Sequence, residues 1–197
     1  MERVFIFIDG SNFYHNLKSI NRNTNINFAK FAAKITREVG QKLGRQVLLR
    51  KVYYYNAPID ASTDPTGASK QQRFFNRLSF ITNFKVKLGR LEPRDVKCPI
   101  CKGNAEIVCA ACGQKTTTRY EEKEVDVTLA VDMLSFARNN LHDIAVLVSD
   151  DGDFASVLKE LEYMGKVTVF AGFHDTGALR DASDVFIRLN RQFFQGI

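Results

Sequence analysis

Two continuous apolar runs, each ending in carboxylates, constrain this chain more than anything else in it. Val4 to Ile8 (Val-Phe-Ile-Phe-Ile) runs into Asp9-Gly10-Ser11-Asn12, and Ile144 to Val148 (Ile-Ala-Val-Leu-Val) runs into Ser149-Asp150-Asp151-Gly152-Asp153-Phe154. Runs of this kind, without polar alternation, read as strands buried on both faces of a parallel sheet. In open parallel sheets, ligands bind in the crevice beyond the carboxyl ends of the strands. If these two strands are neighbours, the side chains of Asp9, Asp150, Asp151 and Asp153 converge on one crevice. Repulsion at that density calls for cations, and hard carboxylate oxygens suit Mg²⁺ or Mn²⁺.

The rest of the chain alternates strand and helix patterns. Strands are expected at 4–9, 47–56, 84–91, 144–149 and 166–171, with an edge strand near 185–189. Helices are expected at about 11–20, 28–43, 69–82, 121–138, 154–164 and 177–182. Asn27 and Gly44 read as the start and stop signals of the second helix. In the helix from Glu121, Val125, Val127, Leu129, Ala130, Val131, Met133, Leu134 and Phe136 cover much of the circumference, which predicts deep burial. Such alternation predicts an α/β fold: a mostly parallel, Rossmann-like sheet of about five strands with helices on both faces. Residues 1–197 make one domain of ordinary size, and 92–120 break the alternation as an insertion. There is no Gly-x-Gly-x-x-Gly and no Walker-type Gly-Lys-Ser/Thr, so a nucleotide cofactor is not expected.

Hydrophobic residues at 45% support a real core, and no apolar run approaches the roughly 20 residues of a membrane span. Met1-Glu2-Arg3 lacks the features of a signal peptide, so a cytoplasmic protein without a membrane partner is expected. Formal net charge is +6. Because the crevice is acidic, the remaining surface is more basic than the total implies, which suits a polyanion such as RNA or DNA. Charge alone does not decide this, since a modest excess of lysine and arginine is common on soluble proteins.

All four cysteines lie in the insertion, as Cys98-Pro-Ile-Cys101 and Cys109-Ala-Ala-Cys112, seven residues apart. Two thiolates at this spacing grip an ion from one side, and a second pair completes a tetrahedral four-cysteine zinc site, the alternatives being an iron–sulfur centre, a redox pair or free thiols. Four protein ligands leave no open position, so its role is structural. Gly103 and Gly113 follow the pairs and supply the turns.

Each candidate acid has a bland reading beside the functional one. Asp9 either serves the crevice or caps the next helix. Asp126 sits in the first turn of an otherwise apolar helix, where it is paired, metal-bound or favoured by the helix dipole. Lys123, three residues earlier, is expected on the same helical face, either to bind a phosphate or to temper the carboxylate cluster. Asp132 lies about 120° round that helix and is secondary. Within the acidic triplet Asp151 ranks first, Asp153 second and Asp150 last, because successive side chains diverge. Asn12 and Ser149 are placed to orient a phosphate or a metal-bound water.

Four ordered motifs resemble the NYN domains of the PIN-like ribonuclease superfamily, in particular the bacterial LabA/DUF88-type proteins. They are Phe-Ile-Asp9-Gly10-Ser11-Asn12, Lys123-x-Val-Asp126-Val-x-Leu-Ala-Val-Asp132, Val-Ser149-x-Asp151-Gly-Asp153-Phe154, and Leu179-x-x-Ala182-x-Asp184-x-Phe186. The resemblance spans the chain apart from about 92–120. It implies a PIN-like three-layer α/β/α fold and a metal-dependent ribonuclease with Asp9, Asp126, Asp151 and Asp153 as its acidic set. Asp150 stands where the family often has a small residue, and the cysteine insertion lies outside the minimal domain.

The expected chemistry is hydrolysis of RNA phosphodiester bonds. Asp9, Asp126 and Asp151 hold one or two Mg²⁺ or Mn²⁺ ions, Asp153 acts through water, and Asn12, Lys123 and Ser149 steady the substrate. Arg73, Arg77, Arg90 and Arg180 are further candidates for strand contacts. Two rivals stand beside this: a non-catalytic RNA-binding module, and a phosphatase of small phosphoesters. The second is disfavoured because the first strand lacks an Asp-x-Asp nucleophile pair.

Overall fold

The computed structural model of the chain describes residues 1–20, 25–110 and 112–197. Its strands are β1 (Glu2–Asp9), β2 (Val47–Asn56), β3 (Phe84–Leu88), β4 (Arg90–Asp95), β5 (Ile107–Val108), β6 (Lys115–Thr116), β7 (Thr118–Lys123), β8 (Ile144–Val148), β9 (Val167–Gly172) and β10 (Val185–Arg188). Its helices are α1 (Gly10–Ile20), α2 (Phe28–Leu43), α3 (Pro65–Ser79), α4 (Val125–Arg138), α5 (Ala155–Tyr163) and α6 (Gly177–Asp181).

Six strands form the central sheet in the order β10-β9-β8-β1-β2-β3, every neighbouring pair parallel. This is the doubly wound order, with its reversal between β1 and β8. The two strands that end in carboxylates are therefore the two that flank the switch point. Strand alternation splits the core into two layers. Val4, Ile6, Ile8, Val146 and Val148 pack with α1, α2 and α3, while Phe5, Phe7, Ala145 and Leu147 pack with α4, α5 and α6. The result is the three-layer α/β/α arrangement that the resemblance implies.

Local chemistry explains the element ends. The Asn27 side chain accepts from the Lys30 N–H and opens α2, and Gly44 closes it in the left-handed region at φ 65°. Gly10 begins α1 straight out of β1. A Cβ there would sit 2.5 Å from the Tyr54 ring and 2.6 Å from the Tyr55 carbonyl oxygen, so only glycine allows this turn. Helix α3 begins at Pro65 rather than 69, because Asp64 caps it by accepting from Gly67 N–H and proline suits the first helical position. Beyond β10, Phe193 and Phe194 fold back on α2, Phe194 stacking on Phe31.

Residues 121–124 depart from the sequence expectation. They do not begin a helix: Thr118–Lys123 pairs antiparallel with Arg90–Asp95 as β7 against β4. Glu124 then turns the chain through the left-handed region at φ 72° into α4. Nor is α4 wrapped all round, since Val127 and Val131 are 67% and 57% exposed. No described helix is long and apolar enough to cross a membrane.

Candidate active site

Pleat parity decides which side chains share the crevice. On β1, Phe5 and Phe7 face α4, so the next residue on that face is Asp9. Ile8 stands opposite Val148 in register, so Ser149 follows as the neighbour of Asp9 on the α4 side. Asp150, one residue on, is turned toward α1.

The hydrogen bonds bear this out. Ser149 Oγ donates to Asp9 Oδ2 at 2.9 Å and accepts the Asp151 N–H at 3.1 Å. Asp9 Oδ1 accepts the Asn12 N–H at 3.1 Å. Asp9 is 5% exposed. Burial pushes its carboxyl up to about 6, against the pull of these hydrogen bonds, and the charges of Asp126 and Glu122 push the same way.

Asp126 occupies the first turn of α4. Partial desolvation raises its carboxyl above the usual range, and the negative charges of Asp151 and Asp153 add to the rise. Asp151 caps the short 3-10 turn Gly152–Phe154, its Oδ1 accepting the Asp153 N–H at 3.0 Å. Asp153 is exposed at the rim. Residues from three distant segments thus act electrostatically on one another at the carboxyl ends of β1 and β8.

A fifth carboxylate, missed from sequence, joins them. Glu122 on β7 is raised by partial desolvation and by Asp126, while a hydrogen bond from Ser11 and the nearness of His15 hold it down. The available signal was strand alternation in Tyr120-Glu121-Glu122-Lys123, which puts Glu122 and Lys123 on opposite faces. Lys123 is accordingly not on a helical face with Asp126. Its ammonium donates to Glu121 Oε2 at 3.0 Å.

Asn12 and Asp150 serve as braces. Asn12 Oδ1 accepts the Asp150 N–H at 3.0 Å and the Asn16 Nδ2–H at 2.8 Å. The Asp150 carboxylate, with an 8% exposed side chain, pairs with Asn16 Nδ2, His174 N and His174 Nδ1 at 3.0, 3.2 and 2.9 Å. Asp132 takes a bond from the Tyr55 hydroxyl at 2.8 Å and an ion pair from Lys87 at 2.6 Å. Its low rank thus has a structural reason. Arg90 pairs with Glu92 and Glu124, Arg180 with Asp175, and Arg73 and Arg77 are exposed on α3. The four cysteines lie beyond the β4–β7 stem.

The crevice is lined with carboxylate oxygens, the donors that Mg²⁺ and Mn²⁺ prefer. A cation there would relieve the repulsion that raises Asp126 and contributes to the rise at Asp9. The chemistry of the donor set therefore fits a divalent ion. Among the described residues, no three His, Cys, Asp or Glu side chains form a ready-made metal cage.

A family model described as the NYN domain matches residues 3–190. No curated protein matches the chain. A solved structure, the Vibrio parahaemolyticus RIMD 2210633 protein of unknown function VPA0982, is similar at 20% identity and a TM-score of 0.60. That similarity covers 98% of this chain and 95% of the other, and it supports the fold. A second structure, from work on the mechanism and regulation of Sir2 enzymes, matches at 11% identity and a TM-score of 0.41, over 96% of this chain and 87% of its own. At that level the likeness bears on neither fold nor function.

Proposed function

Because this chain belongs to the NYN domain family, and through it to the PIN-like superfamily of nucleases, we propose that it is a ribonuclease. In this reading it hydrolyses RNA phosphodiester bonds with one or two Mg²⁺ or Mn²⁺ ions, held by Asp9, Asp126 and Asp151. One observation carries the reading: Asp9, Glu122, Asp126, Asp151 and Asp153 come from four separate segments and interact electrostatically at the switch point. When bound, such an ion lowers the pKa of water and neutralises charge developing on phosphorus.

The chain's own groups do the positioning. Ser149 Oγ and the Asn12 N–H fix both oxygens of Asp9 and keep it ionisable despite burial. Asp153, at the rim, orients the attacking water. Glu122, whose carboxyl is raised, holds a proton more readily than an ordinary glutamate and is suited to proton transfer. Asn12 acts mainly through the backbone it braces. The RNA partner and a cytoplasmic location are parts of the same reading.

The test is cleavage of a labelled single-stranded RNA with Mn²⁺, with EDTA, and by Asp9→Asn and Asp151→Asn variants. Cleavage with Mn²⁺ is expected, and its loss with EDTA and in both variants. Cleavage surviving both chelation and Asp9→Asn overturns the mechanism, and salt-dependent binding without cleavage points to the RNA-binding module instead.

A further inference from the structure

We propose that residues 98–112 bind one zinc ion through Cys98, Cys101, Cys109 and Cys112, and that this ion is what holds the hairpin extension in shape. The two cysteine pairs sit at the tips of two small hairpins built alike. Lys97 bridges Asn104 across the first, and Ile107 and Val108 pair with Thr116 and Lys115 across the second. In the first loop the Cys98 N–H donates to the Gly103 carbonyl at 2.8 Å and the Lys102 N–H to the Cys98 carbonyl at 3.0 Å. In the second, the Cys109 N–H donates to the Gln114 carbonyl and the Gly113 N–H to the Cys109 carbonyl, both at 2.8 Å. The residue just after the second cysteine is left-handed in both, Lys102 at φ 60° and Gly113 at φ 72°. Gly103, expected from sequence to make the first turn, does not; a lysine does.

This repeated frame presents each pair of thiols from a tight turn, which is how a Cys-x-x-Cys knuckle grips a metal. In the first loop the Ile100 and Cys101 N–H groups also hydrogen-bond the Cys98 sulfur, which fixes its direction in the turn.

A second, independent observation is the absence of a core. From Glu92 to Tyr120 no described residue is buried, and Ile100, Ile107 and Val108 are 90%, 42% and 56% exposed. A segment this small cannot keep two ordered hairpins on hydrophobic burial and needs a staple. Among the described residues no three potential ligands form a ready-made cage, and metal affinity and local folding are linked in sites of this kind. Four soft thiolates select zinc over the hard cations of the acidic crevice.

Protein purified without chelators should carry one zinc per chain by elemental analysis, released by about four equivalents of an organomercurial. Cys98→Ser and Cys112→Ser should each lose that zinc and expose 92–120 to proteolysis, while the urea midpoint of the sheet stays within experimental error. Cobalt substitution of the wild type should give the absorption bands of a tetrahedral thiolate site, a readout independent of whether the variants fold. Substoichiometric zinc with four thiols reacting freely in the native protein, visible absorption from bound iron, or cobalt spectra without thiolate bands would each overturn the proposal. None of these outcomes depends on nuclease activity.

Discussion

Ser149 Oγ donates to Asp9 Oδ2 at 2.9 Å across the seam between β1 and β8, and the same oxygen accepts the Asp151 N–H. One hydroxyl thereby ties the acid that ends the first strand to the acid that opens the turn after the fourth strand of the central sheet in chain order. Its proton lowers the Asp9 pKa, opposing the burial that raises it.

Replacing Ser149 by alanine removes that donor and leaves the Asp151 N–H without its side-chain acceptor. The expected cost is about 1–3 kcal/mol, typical of breaking a buried polar pair. The Asp9 carboxyl should move further up, so the acidic limb of the pH–cleavage profile shifts to higher pH. Urea denaturation and a pH–rate series check both parts. An unmoved acidic limb would show that Asp9 does not titrate in the active form.

Asp9 itself should trade stability for activity. Its folded pKa of about 6 lies above an unfolded value of about 4. Between those values the folded state binds more protons, so stability falls as pH rises through that window. Below about pH 4 the effect vanishes; above about pH 6 the full penalty is present. Asp9→Asn keeps the shape and removes the charge. In EDTA it should stabilise the protein by roughly 1–3 kcal/mol at about pH 7 and by nothing at about pH 4, while abolishing Mn²⁺-dependent cleavage. A variant less stable than wild type at neutral pH in EDTA would contradict this.

Asp150 and Asp151 should respond oppositely to neutralisation. Asp150 accepts from Asn16 and twice from His174 with its carboxylate largely buried. Asp150→Ala should cost about 2–4 kcal/mol by stranding those donors, with cleavage per folded molecule largely kept in the milder Asp150→Asn. Asp151→Asn should change the denaturation midpoint little and eliminate cleavage. Equal loss of activity in both asparagine variants would put Asp150 in the reaction.

How much of this was legible from residues follows from what each residue depends on. The ends of β1 and β8 could be read because an apolar run and its terminal acids are contiguous in the chain. That Ser149 and Asp150 turn to opposite faces also needs only local information, since pleat alternation belongs to the strand itself. Glu122 was hidden because its place depends on β7 pairing with Arg90–Asp95, a partner across the whole insertion. Without that pairing, Glu121-Glu122-Lys123-Glu124 has the composition of a helix start. The same error put Lys123 on the face of Asp126. Phe193 and Phe194 were likewise unreadable, because their burial depends on α2, far back in the chain.

The neighbouring positions 122 and 123 offer the sharpest separation of the structural reading from the sequence expectation. Glu122 carries a raised pKa because of partial desolvation and Asp126, so it belongs electrostatically to the crevice. The Lys123 ammonium is paired with Glu121 on the other face of β7 and is partly exposed. Glu122→Gln should weaken Mn²⁺ binding several-fold and slow cleavage by about 10-fold or more, a loss of roughly 1.4 kcal/mol or more of transition-state stabilisation. Its effect on stability should be small or favourable, since it removes a partly desolvated like charge. Lys123→Ala should leave Mn²⁺ affinity unchanged and cost less than about 1 kcal/mol, as for an exposed ion pair. Calorimetric Mn²⁺ titration and steady-state cleavage of the two variants decide the matter. If Lys123→Ala proves the damaging change and Glu122→Gln the silent one, β7 faces the substrate the other way round.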